Sequence, residues 1–257
     1  MIFEKEVDQR IATNLANDPL RTAAHAFLRD SIDPKYSYNF SWLGRPIIQY
    51  PQDIVAMQEL IWKIQPDLIV ETGIAHGGSL IFSASMLELN AACGGPKDAE
   101  VIGVDIEIRD HNRRAIEEHP MFRRISMIEG SSIATDVIKK IHAKAAGKGR
   151  VLVCLDSNHT HDHALAELVA YAPLTSLGSY CVVFDTLIED MPADAYPERP
   201  WGPGNNPKTA VFEYLRQLGA QAKTAHDGQP LRFQIDKSMD GKLLVSVAPD
   251  GYLRRVA

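Results

Sequence analysis

The chain has 257 residues, 45% of them apolar and 23% charged, with a formal net charge of −6. That length fits one large α/β domain or a core with an N-terminal extension, and the acidic balance argues against nucleic acid as the main partner. No apolar run approaches the ~18 residues of a membrane span, and residues 1–10 lack the apolar stretch of a secretory signal. Cys93, Cys154 and Cys181 are odd in number and widely spaced, and Cys154 and Cys181 sit in expected buried strands, so these two read as small core residues rather than a disulfide or zinc set. A cytoplasmic compartment is expected.

Residues 4–30 carry apolar positions at helical spacing, broken at Asp18-Pro19, which predicts two short helices. The segment 31–51 changes character, with Pro34, Tyr36, Tyr38, Phe40, Trp42, Gly44, Pro46 and Tyr50. Residues 1–50 are thus expected to form a helical, aromatic-rich arm ahead of a main domain at 51–257. The arm either caps an active site or packs as a support on the core or a neighbouring subunit. Residues 51–65 read as an amphipathic helix.

Next comes Asp67-Leu-Ile-Val-Glu71-Thr-Gly73-Ile-Ala-His76-Gly77-Gly78-Ser79. An apolar run ends in an acid, passes a glycine-rich turn and opens into another apolar segment. Strand, tight turn and helix in that order bind nucleotide-like cofactors in α/β proteins. Gly73 allows the sharp turn, and Gly77-Gly78 would let backbone approach a ligand. Ala75 stands where the dinucleotide fingerprint G-x-G-x-x-G has its second glycine. Glu71 at the strand end points to a ligand with hydroxyls or a positive charge, and S-adenosylmethionine fits.

Strands and helices then alternate: strands at 67–72, 100–106, 124–129, 151–156 and 179–185, with helices at 79–91, 112–118, 133–145 and 164–171. Such alternation predicts a mostly parallel sheet with right-handed crossovers and helices on both faces. A Pro/Gly-rich stretch, 191–207, precedes a helix at 208–218. Two last strands, 231–236 and 242–247, are expected to pair as an antiparallel terminal hairpin across 238–241. The expected fold is α/β, a Rossmann-like sheet with an antiparallel terminal strand, similar to class I methyltransferases.

Ligands of open α/β sheets collect beyond the C-terminal strand ends. Those ends read Glu71 with the glycine loop, Asp105, Glu129-Gly130-Ser131-Ser132, Asp156 with 157–163, and Phe184-Asp185-Thr186. Asp105 suits the ribose hydroxyls of an adenosyl ligand, or else caps the next helix. Ser131 and Ser132 sit where adenine is flanked, and either also suits a cap for a helix starting at Ile133. The densest cluster is Asp156-Ser-Asn158-His159-Thr-His161-Asp162-His163. A helix starting near Thr160 would bring His159 and His163 onto one face. A single histidine acting as general base is preferred to a metal site built from all three, since imidazole titrates near neutrality.

With these residues assembled, the chain resembles the cephalosporin hydroxylase family, which is similar to class I S-adenosylmethionine-dependent methyltransferases and includes rhamnosyl O-methyltransferases. The matching segments are Trp42-Leu-Gly-Arg-Pro-Ile-Ile-Gln49, Glu71-Thr-Gly-Ile-Ala-His-Gly-Gly-Ser-Leu80, Leu155-Asp-Ser-Asn-His-Thr-His-Asp-His163 and Asn205-Asn-Pro-Lys-Thr-Ala-Val211. The resemblance implies S-adenosylmethionine lined by Glu71, Gly73, Gly77 and Ser79, with Asp105 on its ribose; Ala75, Ser131, Ser132 and Asp156 complete the expected cofactor set. It also implies O-methylation of a hydroxyl on a sugar or other biosynthetic small molecule, and a homo-oligomer. Family members resemble one another in a magnesium site of three carboxylates, whose positions here are Asn158, Phe184 and Asp185. Only Asp185 keeps its charge, whereas a hard cation wants anionic oxygens. A metal would rest on Asp185 with Asp156 or Asn158. Weight therefore moves to a base, His159 or His163, oriented by Asp156 or Asp185.

Three other readings compete. A hydroxylase is disfavoured because none of the nine histidines is followed two positions later by Asp or Glu, as iron oxygenases commonly require. An NAD-dependent oxidoreductase is weakened by Ala75 and the antiparallel terminal strand. A catalytically silent cofactor-binding protein stays open because two of the three carboxylates are gone.

Overall fold

The computed structural model describes residues 2–257. Two helices, α1 (Ile2–Leu15) and α2 (Asp18–Ile32), open the chain. They divide at Asn17, whose side chain accepts the Leu20 N–H while Pro19 takes the first turn of α2, where its missing N–H costs nothing. A small hairpin follows, β1 (Phe40–Trp42) paired antiparallel with β2 (Arg45–Ile47). Helix α3 (Pro51–Ile64) then leads into β3 (Leu68–Thr72).

From β3 the chain alternates through α4 (Gly78–Ala92), β4 (Glu100–Asp105), α5 (Asp110–Glu117), β5 (Ile125–Glu129), α6 (Thr135–Ala145), β6 (Val151–Leu155), α7 (His161–Tyr171) and β7 (Tyr180–Val183). The last elements are α8 (Pro207–Ala220), β8 (Phe233–Ile235), α9 (Lys237–Leu243) and β9 (Tyr252–Arg255). The main sheet runs β5-β4-β3-β6-β7-β9-β8, with β3 to β7 mutually parallel and β9 antiparallel to both neighbours.

Strand alternation supplies two cores. Leu68, Val70, Val104 and Val153 pack on one face, and Ile69, Val101, Leu152 and Val182 on the other. Parallel strands buried on both faces have near-continuous apolar sequences, as here. Shortening one of these fully buried aliphatics to alanine costs about 2–5 kcal/mol, so the sheet is a rigid base for its strand-end loops.

The terminal hairpin departs from expectation. Its first strand is β8, but the predicted second strand, 242–247, is the end of α9 and an irregular run. Asp236 caps α9 by accepting the Ser238 N–H at 3.1 Å, and the helix packs Gly241 against Leu15 of α1. Buried Asp53 then takes the Val247 N–H at 2.9 Å and the Ser246 hydroxyl at 2.6 Å, which fixes the apolar run outside any strand. The antiparallel partner is β9, inserted between β7 and β8. Among the described residues no helix is long and apolar enough to cross a membrane.

Candidate active site at the strand ends

The glycine loop is the tightest part of the site. Gly73 has φ +89°, and a Cβ there would fall 1.9 Å from the Asp156 carbonyl oxygen, so only glycine lets the ends of β3 and β6 meet. Ala75 also adopts a positive φ, +46°, an uncommon conformation for a side-chain-bearing residue. Asp105 holds it: one carboxylate oxygen accepts the N–H groups of Ile74 at 2.8 Å and Ala75 at 3.1 Å. On the carbonyl side, Asn112 donates to the Ala75 oxygen at 3.0 Å and Arg45 Nε to the His76 oxygen at 3.0 Å. Arg45 and Asn112 are themselves joined at 2.9 Å. Sequence reasoning passed over both residues, although Arg45 lies in a segment that carries the family resemblance.

The glycine pair has a packing role as well. A Cβ on Gly78 would lie 2.1 Å from the Pro46 carbonyl oxygen, and one on Gly77 would strike Ile116. These positions admit the chain's own hairpin and α5, and Gly78 also lines the cavity described below. Trp42 of that hairpin donates to Ser85 at 2.9 Å and meets Phe82 edge-on, which seats the arm on α4.

Acids gather beneath the loop. Glu71 is buried and receives the Ser79 hydroxyl. Burial pushes its carboxyl up to about 7, against the opposing pull of the Ser79 and Ser83 hydroxyls. Asp156 is pushed well above the carboxylate range, first by burial and then by Asp185, Glu71, Glu167 and Asp53 in turn. Acids that raise one another's pKa in a buried site favour a cationic ligand.

The three histidines diverge. His159 precedes α7, with Nε2 3.1 Å from Asp185 Oδ2 and its ring edge-on to Trp201. His161 sits 2.8 Å from the Thr209 hydroxyl, on the α8 side. His163 contacts Ser132 Oγ at 3.0 Å, Ser157 Oγ at 3.3 Å and buried Glu167 at 3.5 Å. His159 and His163 therefore do not share a face: the helix starts at His161, so His159 lies outside the helical register. Asp185, two residues beyond β7, has φ +55°, a strained setting of the kind found at functional sites.

A cavity of about 620 Å³ opens above this floor, within the roughly 300–1,000 Å³ of small-molecule sites. Gly73, Ala75, Ser79, Asp156, His159 and Asp185 line it. Glu71, Gly77, Asp105, Ser131, Ser132 and His163 are not among its lining residues; Glu71 lies behind it, with Ser79 and Asp156, around a much smaller void. Neither serine caps α6, which begins at Thr135 behind Ala134; Ser132 is buried and bonded to His163 and Tyr171 instead. Tyr38 and Lys35 of the arm and Tyr196, Arg199 and Trp201 of the Pro/Gly-rich stretch supply the outer wall. Only the aromatic density of 31–51 and the lone Trp201 hinted at that wall in the sequence.

Ligand atoms of Asp156, His159 and Asp185 lie within 4.8 Å of one another, a geometry able to surround a cation. The three carboxylates of the family's magnesium site are not reproduced. Phe184 is buried in the apolar core, and Asn158 Oδ1 accepts the N–H and hydroxyl of Thr160 at 3.0 and 2.7 Å. Magnesium demands hard oxygen ligands in near-octahedral geometry, and an imidazole in the third position does not fit that demand.

Five parallel strands, an inserted antiparallel strand and acids at successive strand ends beside a glycine turn define the class: this is a class I methyltransferase fold. The family model described as Rhamnosyl O-methyltransferase/CmcI matches residues 34–256, and the chain belongs to that family. It is 29% identical over 205 residues to a rhamnosyl O-methyltransferase of Mycobacterium tuberculosis (strain H37Rv), covering 79% of this chain and 73% of the relative. The Mycobacterium leprae rhamnosyl O-methyltransferase is 28% identical over 217 residues, with 84% and 82% covered. Among solved structures, cmcI with Mg and SAM aligns with a TM-score of 0.54 at 17% identity, over 86% of this chain and 78% of that one. The O-methyltransferase TomG from Streptomyces achromogenes, involved in tomaymycin synthesis and solved with SAM, gives 0.52 at 15% identity over 94% and 91%.

Proposed function

We propose that this protein transfers the methyl group of S-adenosylmethionine to a hydroxyl of a small biosynthetic acceptor. The observation that carries the reading is the acidic floor, buried Glu71 with half-buried Asp156 and Asp185, set against the glycine loop held by Asp105. A sulfonium donor supplies the positive charge that such a floor lacks, and an adenosyl ribose takes the remaining acceptor capacity of Asp105. The rhamnosyl O-methyltransferase relatives and the family model support the same reaction class.

Methyl transfer is an in-line displacement, so alignment of donor and acceptor is the main task. Asp185 Oδ2 lies 3.1 Å from His159 Nε2, a contact that favours the tautomer protonated at Nε2, with the lone pair on Nδ1. That nitrogen takes the acceptor's proton as the oxygen attacks the methyl carbon and the C–S bonding pair returns to sulfur. His163, bonded to Ser132, Ser157 and Glu167, ties the loop after β5 to the loop after β6 and is a positioning residue in this scheme.

Residues 31–50 of the arm act as the acceptor-side wall of the cavity, an assignment supported by Ser31, Lys35 and Tyr38 along its lining. Exposed Ile2 and Phe3 on α1 support assembly as a homo-oligomer, and three unpaired cysteines accord with a cytoplasmic setting. A crystal structure with S-adenosylhomocysteine tests the site. Density over the glycine loop, with the ribose bonded to Asp105, is the expected result, and a ligand lodged elsewhere would refute it.

A further inference from the structure

In the segment Trp42–Gln49, Trp42 seats the hairpin on α4 and Arg45 holds the glycine loop. Gln49 has no such use. It lies two residues beyond β2, is 6% exposed, and its side chain makes no hydrogen bond to any described residue. Buried amides in folded proteins are nearly always bonded, because leaving one without a partner is costly. Gln49 lines both the cavity and the small void behind it, a void that Glu71, Ser79 and Asp156 also line. Its free amide therefore stands at the inner end of the ligand space.

The strand order says which part of the cofactor reaches that end. Asp105 ends β4, and the sheet continues through β3 to β6, with Asp156 just past the end of β6. With the ribose on Asp105, an adenosyl ligand crossing the glycine turn after β3 brings its amino-acid end toward Asp156. Neighbouring strands lie about 4.8 Å apart, a step that the methionyl chain spans. That end carries an ammonium and a carboxylate. Glu71 and Asp156 suit the ammonium and repel the carboxylate, which needs a donor set among acids. Ser79 and Ser83 both give their hydroxyls to Glu71, and the Cys154 thiol is a weak donor. The Gln49 amide is the uncommitted one.

We propose that Gln49 binds the carboxylate of the cofactor's amino-acid end, so that the arm contributes to the cofactor site as well as to the acceptor-side wall. This rests on the methyltransferase reading above.

The test uses the full-length protein in titration calorimetry with S-adenosylmethionine and its decarboxylated analogue, which keeps the sulfonium and the ammonium. Wild type should prefer the carboxylate-bearing ligand by at least about tenfold, the effect of a hydrogen bond to a charged group. In Gln49→Met, a side chain of similar length, that preference should collapse to within about twofold, with affinity for the analogue within about twofold of wild type. A preference that survives the substitution, or that wild type never shows, overturns the proposal. So does an equal loss for both ligands, the mark of a residue that only supports Glu71 or the loop. Should Gln49→Met fail to fold, a crystal structure of wild type with S-adenosylhomocysteine decides. A Gln49 amide nitrogen within about 3.2 Å of the ligand carboxylate is expected. A carboxylate held by other groups instead, such as Lys35 or Arg199 of the outer wall, overturns the proposal. Failure of wild type to bind any adenosyl ligand would refute the methyltransferase reading, so the two failures are distinguishable.

Discussion

His159 Nε2 stands 3.1 Å from Asp185 Oδ2, and Asp185 reaches it from a left-handed backbone setting two residues beyond β7. The pair orients one imidazole into the cavity while the neighbouring His163 turns to Ser132 and Glu167. The two histidines therefore separate by kinetics. His159→Gln should lower kcat by about 10²–10⁴, the range of a lost general base, with the cofactor dissociation constant unchanged. His163→Ala should raise the KM for S-adenosylmethionine with a much smaller loss of kcat. Steady-state kinetics on both variants decides this, and equal losses of kcat would remove the distinction.

Asp105 satisfies two N–H groups of the glycine loop with one oxygen. In Asp105→Ala both amides lose that partner, each at a cost of about 1–3 kcal/mol where water does not replace it. Cofactor affinity should fall by at least about tenfold, 1.4 kcal/mol per decade. Calorimetric titration reads this directly. An affinity within twofold of wild type would mean that the loop is held by Arg45 and Asn112 alone.

Glu71 gives a pH signature. Its folded carboxyl titrates at about 7, above the ordinary 4.5, so the folded chain holds more protons than the unfolded chain between those values. Stability of the ligand-free protein should therefore fall as pH rises from 4.5 to 7, by on the order of 3 kcal/mol for this group. A sulfonium favours the ionised form, so affinity for S-adenosylmethionine should rise as pH passes through about 7. Glu71→Gln should flatten both dependences in chemical denaturation and calorimetry; unaltered slopes would assign them to another group.

Gly78 separates packing from ligand contact. Because a Cβ there meets the Pro46 carbonyl oxygen at 2.1 Å, Gly78→Ala should displace the hairpin at 40–47. A loss of about 1–3 kcal/mol is expected, seen as a lower Tm. Unchanged stability with weakened cofactor binding would return this glycine to a ligand role.

The central sheet was legible because β3 to β7 are short apolar runs with turn chemistry between them, and periodicity reports such patterns well. The C-terminal part was not. The run 243–247 looks like a strand until Asp53, nearly two hundred residues earlier, takes its N–H and hydroxyl groups. At the site, the strand-end acids announced themselves by position. The divergence of the histidines depended on a helix start a single residue from Thr160, finer than any sequence pattern resolves. Arg45 and Asn112 were invisible because their role is to hold backbone carbonyls, which leaves no motif.

Calorimetric titration with S-adenosylmethionine, S-adenosylhomocysteine and NAD tests the central claim most directly. Saturable binding of both adenosyl ligands, with no heat from NAD, is the predicted result. Binding of NAD with neither adenosyl ligand bound would contradict it.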